Sequence, residues 1–145
     1  LIAVVLLAAI VLLGPFGGRG PDDVSPEYLQ GQATIETVFE SDDTGSFTAN
    51  AIAICPDGDV TRLRSGATAT GSWREDAYRC GSGTFIIRTE LPQVPGAGSS
   101  EPAVGTWSIL SGTDDYTELA GEGTVAWISH PNLTQSLTGV IDSGY

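Results

Sequence analysis

A chain of 145 residues with 6 basic and 18 acidic side chains carries a formal net charge of −12, which repels phosphate backbones and anionic membrane surfaces and excludes nucleic acid as a partner. Its length suits one domain able to bury a core without help from a metal. All six basic residues are Arg, and there is a single His, which rules out any site built on two His ligands and weakens a Ser-His-Asp triad.

Leu1 to Leu13 is an unbroken apolar run, extended by Gly14, Pro15, Phe16 and two glycines. Its length suits the apolar region of a signal peptide and is short of the roughly 20 residues that span a bilayer. The chain opens at Leu1 and contains no Met, so its natural start is expected upstream, where further residues would lengthen the run to a span. Residues 1–18 are therefore either a signal peptide or a membrane anchor, and both place the remainder outside the cytoplasm. Residues 19–32, rich in Gly, Pro and acidic side chains, read as a linker, and residues 33–145 as the folded domain.

The first expected strand is Ala33 to Glu40, where Ala33, Ile35, Thr37 and Phe39 alternate with Thr34, Glu36, Val38 and Glu40. Ser41 to Gly45 turns the chain into a long strand, Ser46 to Cys55. Pro56 to Asp59 turns it again, and Val60 to Arg64 answers as the hairpin partner. Gly66 to Trp73 alternates weakly, and Arg74-Glu75-Asp76 reads as a solvated turn. Tyr78 to Cys80 leads through Gly81-Ser82-Gly83 into Thr84 to Leu91, whose Phe85, Ile86 and Ile87 make it the most apolar strand. Pro92 to Pro102 is too poor in apolar groups to pack and reads as a mobile loop.

Gly105 to Ser129 is the most informative stretch. Thr106 to Leu110 places Trp107 and Ile109 on one face and Thr106, Ser108 and Leu110 on the other. Ser111 to Asp115 stops that strand. Asp115 with Glu118 fits a capping box, with Tyr116 and Leu119 on one side of a single helical turn. Gly121 and Gly123 end the turn, and Thr124 to Ser129 returns with Val125 and Trp127 on one face. His130-Pro131-Asn132 turns the chain into a closing strand, Leu133 to Asp142. About eight strands joined by short turns, without a long helix, predict an all-β protein built as a small antiparallel β-barrel or sandwich.

Gly105 to Gly123 reads Gly-x-Trp-x-Ile-x-x-Gly-Thr-x-x-Tyr-x-x-Leu-x-Gly-x-Gly. This resembles the closing segment of exported bacterial proteins with the allene oxide cyclase-like, dirigent-like (calycin-like) barrel. The resemblance implies an eight-stranded antiparallel β-barrel over about Thr34 to Ile141, and makes Gly112, Thr113, Asp114, Asp115, Tyr116, Leu119, Gly121 and Gly123 a structural turn. Asp114 stands where the family commonly has Gly, and Asp tolerates the left-handed region better than most residues.

Cys55 and Cys80 are an even pair in an exported chain, most simply one disulfide, and a Cys ahead of Gly-Ser-Gly is also common in the similar barrels. A reactive thiol is the alternative, with no His near either Cys in sequence. The acid pairs Asp22-Asp23, Asp42-Asp43, Asp57 with Asp59, Glu75-Asp76 and Asp114-Asp115 read as solvated turns, because calcium needs six or more converging oxygens and glycosidase chemistry two carboxylates across a cleft. Asn132-Leu133-Thr134 fits a glycosylation sequon that bacterial export would leave unused. No pattern points to a metal or cofactor.

Trp107, Trp127 and Phe85 are candidates to line an interior ligand cavity, although aromatics more often simply fill a barrel. Glu36 and Arg88 are the polar candidates to project into it. The plant relatives guide a reactive apolar intermediate inside the barrel, but their polar residues do not map one by one onto this chain. The expected function is therefore an exported or membrane-anchored barrel holding a small apolar molecule, without catalysis. The alternatives are a cyclase- or isomerase-like enzyme acting inside the barrel and a structural surface module.

Overall fold

The computed structural model describes residues 30–93 and 101–144. Its eight strands are β1 (Gln30–Phe39), β2 (Thr44–Asn50), β3 (Asp57–Ala67), β4 (Ser72–Cys80), β5 (Gly83–Leu91), β6 (Ala103–Gly112), β7 (Ala120–Ile128) and β8 (Thr134–Asp142). Each pairs antiparallel with the next, and β8 returns to pair with β1 from Gln30 opposite Asp142 to Val38 opposite Thr134. The protein is a closed, all-β, eight-stranded antiparallel barrel. Closure leaves no free sheet edge, and eight strands give a bore that side chains can fill.

Strand parity decides what enters that bore. On β1 the buried residues are Ala33, Ile35, Thr37 and Phe39, one of the two faces separated by alternation, while Glu36 and Val38 of the other are exposed. Val125 on β7 and Leu137 on β8 are cross-strand partners and both are buried. Phe47, Tyr78, Phe85 and Tyr116 form one aromatic cluster: Tyr78 and Phe85 stack with centroids 5.3 Å apart, and Phe47–Tyr78 at 5.1 Å and Phe85–Tyr116 at 5.4 Å meet edge to face. Ile54 and Leu119 add to this end of the core. Cys55 and Cys80 are joined as a disulfide, with Cα atoms 5.9 Å apart, tying the loop after β2 to the end of β4.

The turn after β6 is a 3-10 turn, Asp114–Tyr116. Asp114 takes φ 52°, the left-handed conformation its side chain tolerates. Tyr116 and Leu119 are both buried, as their spacing predicts. The capping box does not form. Thr113 is the N-cap, without a side-chain cap bond, and Asp115 lies inside the turn, with its amide directed to the Ser82 carbonyl. The turn docks on the β4–β5 hairpin through Thr113 N–H to Thr84 O at 2.8 Å and the hydroxyl pair Ser82–Tyr116 at 2.9 Å.

Four sequence expectations about the strands change. β2 ends at Asn50 rather than at Cys55, and the Ala49 amide donates to Pro56 O at 2.7 Å as the chain loops back. The weak strand Gly66 to Trp73 is the end of β3 and the start of β4, joined by a turn in which Gly71 N–H donates to Thr68 Oγ1 at 2.9 Å. Arg74-Glu75-Asp76 is the buried centre of β4, not a solvated turn. β1 also begins at Gln30, inside the stretch read as linker. The signal or anchor segment, residues 19–29 of the linker and most of the loop Pro92 to Pro102 lie outside the described residues.

Candidate functional site

β4 carries charge on both faces, and alternation separates it. In register, Arg74 faces Thr89, Asp76 faces Ile87 and Tyr78 faces Phe85 on β5. Since Ile87 and Phe85 are fully buried core, Arg74, Asp76 and Tyr78 point into the barrel. Glu75 points out, opposite Arg88.

Inside, Arg74 Nε donates to both carboxylate oxygens of Asp76, at 2.6 and 2.8 Å, and the guanidinium lies 3.8 Å above the centre of the Phe39 ring. Both residues are buried. The Tyr78 hydroxyl is 3.1 Å from Thr37 Oγ1 and donates to Gln135 Oε1 at 3.4 Å, so it links β4 to β1 and β8 across the bore. On the opposite wall Gln135 pairs with Trp127 of β7 and with Thr37 of β1. Arg62 on β3, opposite Asp76, forms an ion pair with Asp43.

Four polar atoms in this region are buried without a hydrogen-bond partner: Arg74 Nη2, Thr89 Oγ1, Trp127 Nε1 and Gln135 Nε2. Arg74 is 4 % exposed, and Thr89 and Gln135 0 %. All four belong to inward-facing side chains, and they form two adjacent cross-strand pairs, Arg74–Thr89 and Trp127–Gln135. An unsatisfied buried donor costs about 1–3 kcal/mol, so four together make this the least self-sufficient part of the core.

Electrostatics follow from the burial. Desolvation raises the Asp76 pKa above its usual value, against the charge and hydrogen bonds of Arg74; the Gln135 amide and the Arg62 charge act in the same lowering sense. The Gln135 amide is near enough to favour the Asp76 charge, yet Nε2 does not close a hydrogen bond. Burial also raises the Tyr78 pKa, with Asp76 adding to the effect, so the phenol stays protonated.

Outside, Glu75 sits in a basic cage. Arg64 donates from Nε to Glu75 Oε2, and Arg88 from Nη1 to Oε1 at 3.0 Å. Both guanidiniums lie over Trp73, at 6.0 and 4.4 Å from its ring centre. The Arg64 hydrogen bond, foremost, holds the Glu75 carboxyl below its usual range; desolvation opposes it and Arg88 reinforces it. Trp73 in turn lies on Gly66, where a Cβ would fall 2.6 Å from its Nε1.

The candidates read from the sequence divide cleanly. Trp107, Trp127 and Phe85 face the interior. Phe85 belongs to the aromatic cluster, and Trp107, 2 % exposed, already donates its indole N–H to the Thr138 carbonyl at 3.1 Å. The expectation that Glu36 and Arg88 project into the barrel is not met. Glu36 is exposed and accepts from Ser136 Oγ at 2.6 Å, and Arg88 bridges Glu75 and Glu90 on the outer face. Both lie one residue out of phase with the buried face of their strand. Arg88 also lines an outer groove of about 800 Å³ with Thr106, Ser108, Thr124 and Thr138.

The residues missed were Arg74, Asp76, Thr89 and Gln135. Arg74 and Asp76 share the parity of Tyr78, and an Arg and Asp two apart on the inward face of a strand is the signal that would have found them. No set of three or more His, Cys, Asp or Glu among the described residues is arranged to hold a metal ion. Comparison of the chain with protein-family models, with curated proteins and with solved structures finds no match in any of the three.

The arrangement is suited to binding. It offers unpaired donors on two facing walls, an aromatic surface at Phe39, and one carboxylate held by a guanidinium. The single imidazole, His130, lies on an exposed turn, and both cysteines are in the disulfide, so among the described residues the interior holds neither an imidazole nor a free thiol.

Proposed function

We propose that this chain is an extracytoplasmic β-barrel domain, secreted or anchored through its N-terminal segment, that holds a small, largely apolar molecule at the polar end of its interior without transforming it. The carrying observation is the set of four unpartnered buried polar atoms on inward-facing side chains. Groups this costly are kept where a bound molecule completes them. Export is supported by the apolar run Leu1 to Leu13 and by a disulfide, a bond that persists in oxidising compartments. Kinship with the allene oxide cyclase-like barrels is part of the proposal, supported by the segment Gly105 to Gly123 and by the strand count.

One observation favours a second reading, a cyclase- or isomerase-like enzyme. Asp76 is a buried acid with a raised pKa, directed into the bore beside a protonated Tyr78, and perturbed acids of this kind also serve as proton-transfer groups. The first reading is preferred because both oxygens of Asp76 are already bound by Arg74 Nε.

Mass spectrometry of an organic extract of the purified full chain tests the proposal, together with thermal unfolding against a panel of small apolar molecules. A co-purifying molecule, or a panel member that raises Tm, is expected. Absence of both refutes it.

A further inference from the structure

The end of the barrel at which β1 begins carries two flaps with one shared anchor. One flap is the loop between β2 and β3, Ala51 to Pro56, which buries Ile54 in the core and leaves Ile52 exposed. The other is the 3-10 turn Asp114–Tyr116, whose Tyr116 packs edge to face on Phe85. Both are fastened to the tip of the β4–β5 hairpin. The turn is fastened by hydrogen bonds, Thr113 N–H to the Thr84 carbonyl at 2.8 Å and the hydroxyl pair Ser82–Tyr116 at 2.9 Å. The loop is fastened by a covalent bond, Cys55 to Cys80. Between the flaps lies a cleft of about 440 Å³ lined by Ile52, Ile54, Cys55, Ser82, Asp115 and Tyr116.

The disulfide adds little to the sheet itself. β2 pairs with β3 and β3 with β4, so the strands at either end of the bridge are already held in one ladder. The barrel is closed elsewhere, by the pairing of β1 with β8. What the bridge fixes is the loop. Besides that bond, the loop rests on Ile54, on the small, partly buried side chains of Ala51 and Ala53, and on the Ala49 N–H to Pro56 carbonyl bond at its base, 2.7 Å. A segment with so few apolar contacts belongs to the part of a fold that opens locally while the rest stays folded. Cys55 and Cys80 are both half-buried, on the surface of the flap rather than in the core, so a reagent can reach the bond.

We propose that the loop Ala51 to Pro56 is a strap over this end of the barrel, open while Cys55 and Cys80 are thiols and locked shut by their oxidation. Locking is a thiol–disulfide exchange with a disulfide-carrying oxidant. The thiolate of one cysteine attacks the oxidant's disulfide, forming a mixed disulfide and releasing one thiol, and the second cysteine then displaces the other thiol. The Cys55–Cys80 bond forms, the oxidant's S–S bond breaks, and two electrons and the two cysteine protons pass to the oxidant. In the open form Ile54 leaves the core and the Tyr116 side of the cleft meets solvent. The strap is thus shut in an oxidising compartment and open in a reducing one. Which of the two the protein occupies rests on the extracytoplasmic reading; the strap itself does not.

Hydrogen–deuterium exchange of the full chain, read by mass spectrometry, compares the oxidised protein, the protein treated with a phosphine reductant, and the double variant Cys55→Ser with Cys80→Ser. The amides from Ala51 to Cys55 exchange at least about tenfold faster in the reduced and variant proteins, while β1, β7 and β8 keep the rates of the oxidised protein. Reoxidation of the reduced protein with glutathione disulfide restores slow exchange in the loop. Unchanged exchange from Ala51 to Cys55 after reduction overturns the proposal, because the loop is then held by its own contacts. Acceleration across all eight strands, or unfolding of the reduced protein, also overturns it, because the bond then holds the barrel and not a strap. Failure of the loop to slow again on reoxidation overturns the locking step. None of these outcomes bears on whether the barrel holds a small apolar molecule, which the extract and the thermal panel decide separately.

Discussion

Arg74 binds both oxygens of Asp76 through Nε alone, at 2.6 and 2.8 Å, and its Nη2 is left buried with no partner. An ion pair built only for stability would place the fork of the guanidinium against the carboxylate, with two nitrogens on two oxygens. Here one nitrogen serves both, and Nη2 is left without a partner.

Breaking this pair from one side exposes a buried charge. Asp76→Ala or Arg74→Met alone is expected to destabilise the barrel by about 3–5 kcal/mol, and the double replacement Arg74→Met with Asp76→Leu to recover most of that loss. Urea unfolding of the four proteins gives the cycle. Additive losses in the double variant would show that the two residues do not act as a unit.

Thr89 offers the complementary case. Its hydroxyl is buried with no partner, so Thr89→Val, which keeps the shape and removes the orphan, should stabilise the ligand-free protein by about 1 kcal/mol. Thermal unfolding of the chain after exhaustive extraction reads this directly. A loss of stability would mean that the hydroxyl is already satisfied.

Glu75 and Asp76, neighbours on opposite faces of β4, pull the pH dependence in opposite directions. Glu75 has a lowered pKa, chiefly through its hydrogen bond from Arg64. Its contribution is present above the unfolded value and is lost as pH falls through the lowered folded value. Asp76 has a raised pKa from desolvation, so its contribution is fullest below its unfolded value and declines as pH rises through the raised one. Glu75→Gln should therefore flatten the acid limb of stability below the ordinary carboxylate range, and Asp76→Asn should remove the decline above it. Chemical unfolding at a series of pH values measures both, and unchanged limbs would contradict the assignments.

Gly123 and Gly139 face each other on β7 and β8 and make the bed on which Trp107 lies. A Cβ at Gly123 would fall 2.1 Å from the Thr138 carbonyl oxygen and 2.7 Å from Trp107 Nε1, and one at Gly139 2.1 Å from the Glu122 carbonyl oxygen and 2.8 Å from Trp107 Cζ2. Alanine at either position is expected to cost about 3 kcal/mol, the upper part of the usual range for overpacking. Denaturant midpoints test this, and a change below about 1 kcal/mol would show that the β7–β8 backbone and the indole shift together to make room.

Alternation made most of the barrel legible. Ala33, Ile35, Thr37 and Phe39 were grouped on one face by pattern, as were Trp107 with Ile109 and Val125 with Trp127, because a half-buried strand repeats its apolar residues at every second position. The site was illegible for the same reason. Arg74, Asp76 and Gln135 are polar residues on the inward parity, and a reading that equates charge with solvent turns Arg74-Glu75-Asp76 into a loop. Glu36 and Arg88 failed in reverse, as polar residues assigned inward because function was sought there, when their parity already put them outside. Polarity alone does not report orientation in a barrel, whereas phase relative to a secure apolar neighbour such as Tyr78 does.

The central claim, that a small, largely apolar molecule completes the unpartnered polar atoms of the interior, is tested most directly by the side-chain N–H resonances of ¹⁵N-labelled protein titrated with the panel of small apolar molecules. Trp107 provides an internal control, since its indole N–H is already bonded to the Thr138 carbonyl at 3.1 Å. The account predicts that the Trp127 indole and Gln135 amide signals move downfield together while Trp107 stays within its unliganded position. Stationary Trp127 and Gln135 signals at saturating probe, or equal movement of Trp107, would contradict it.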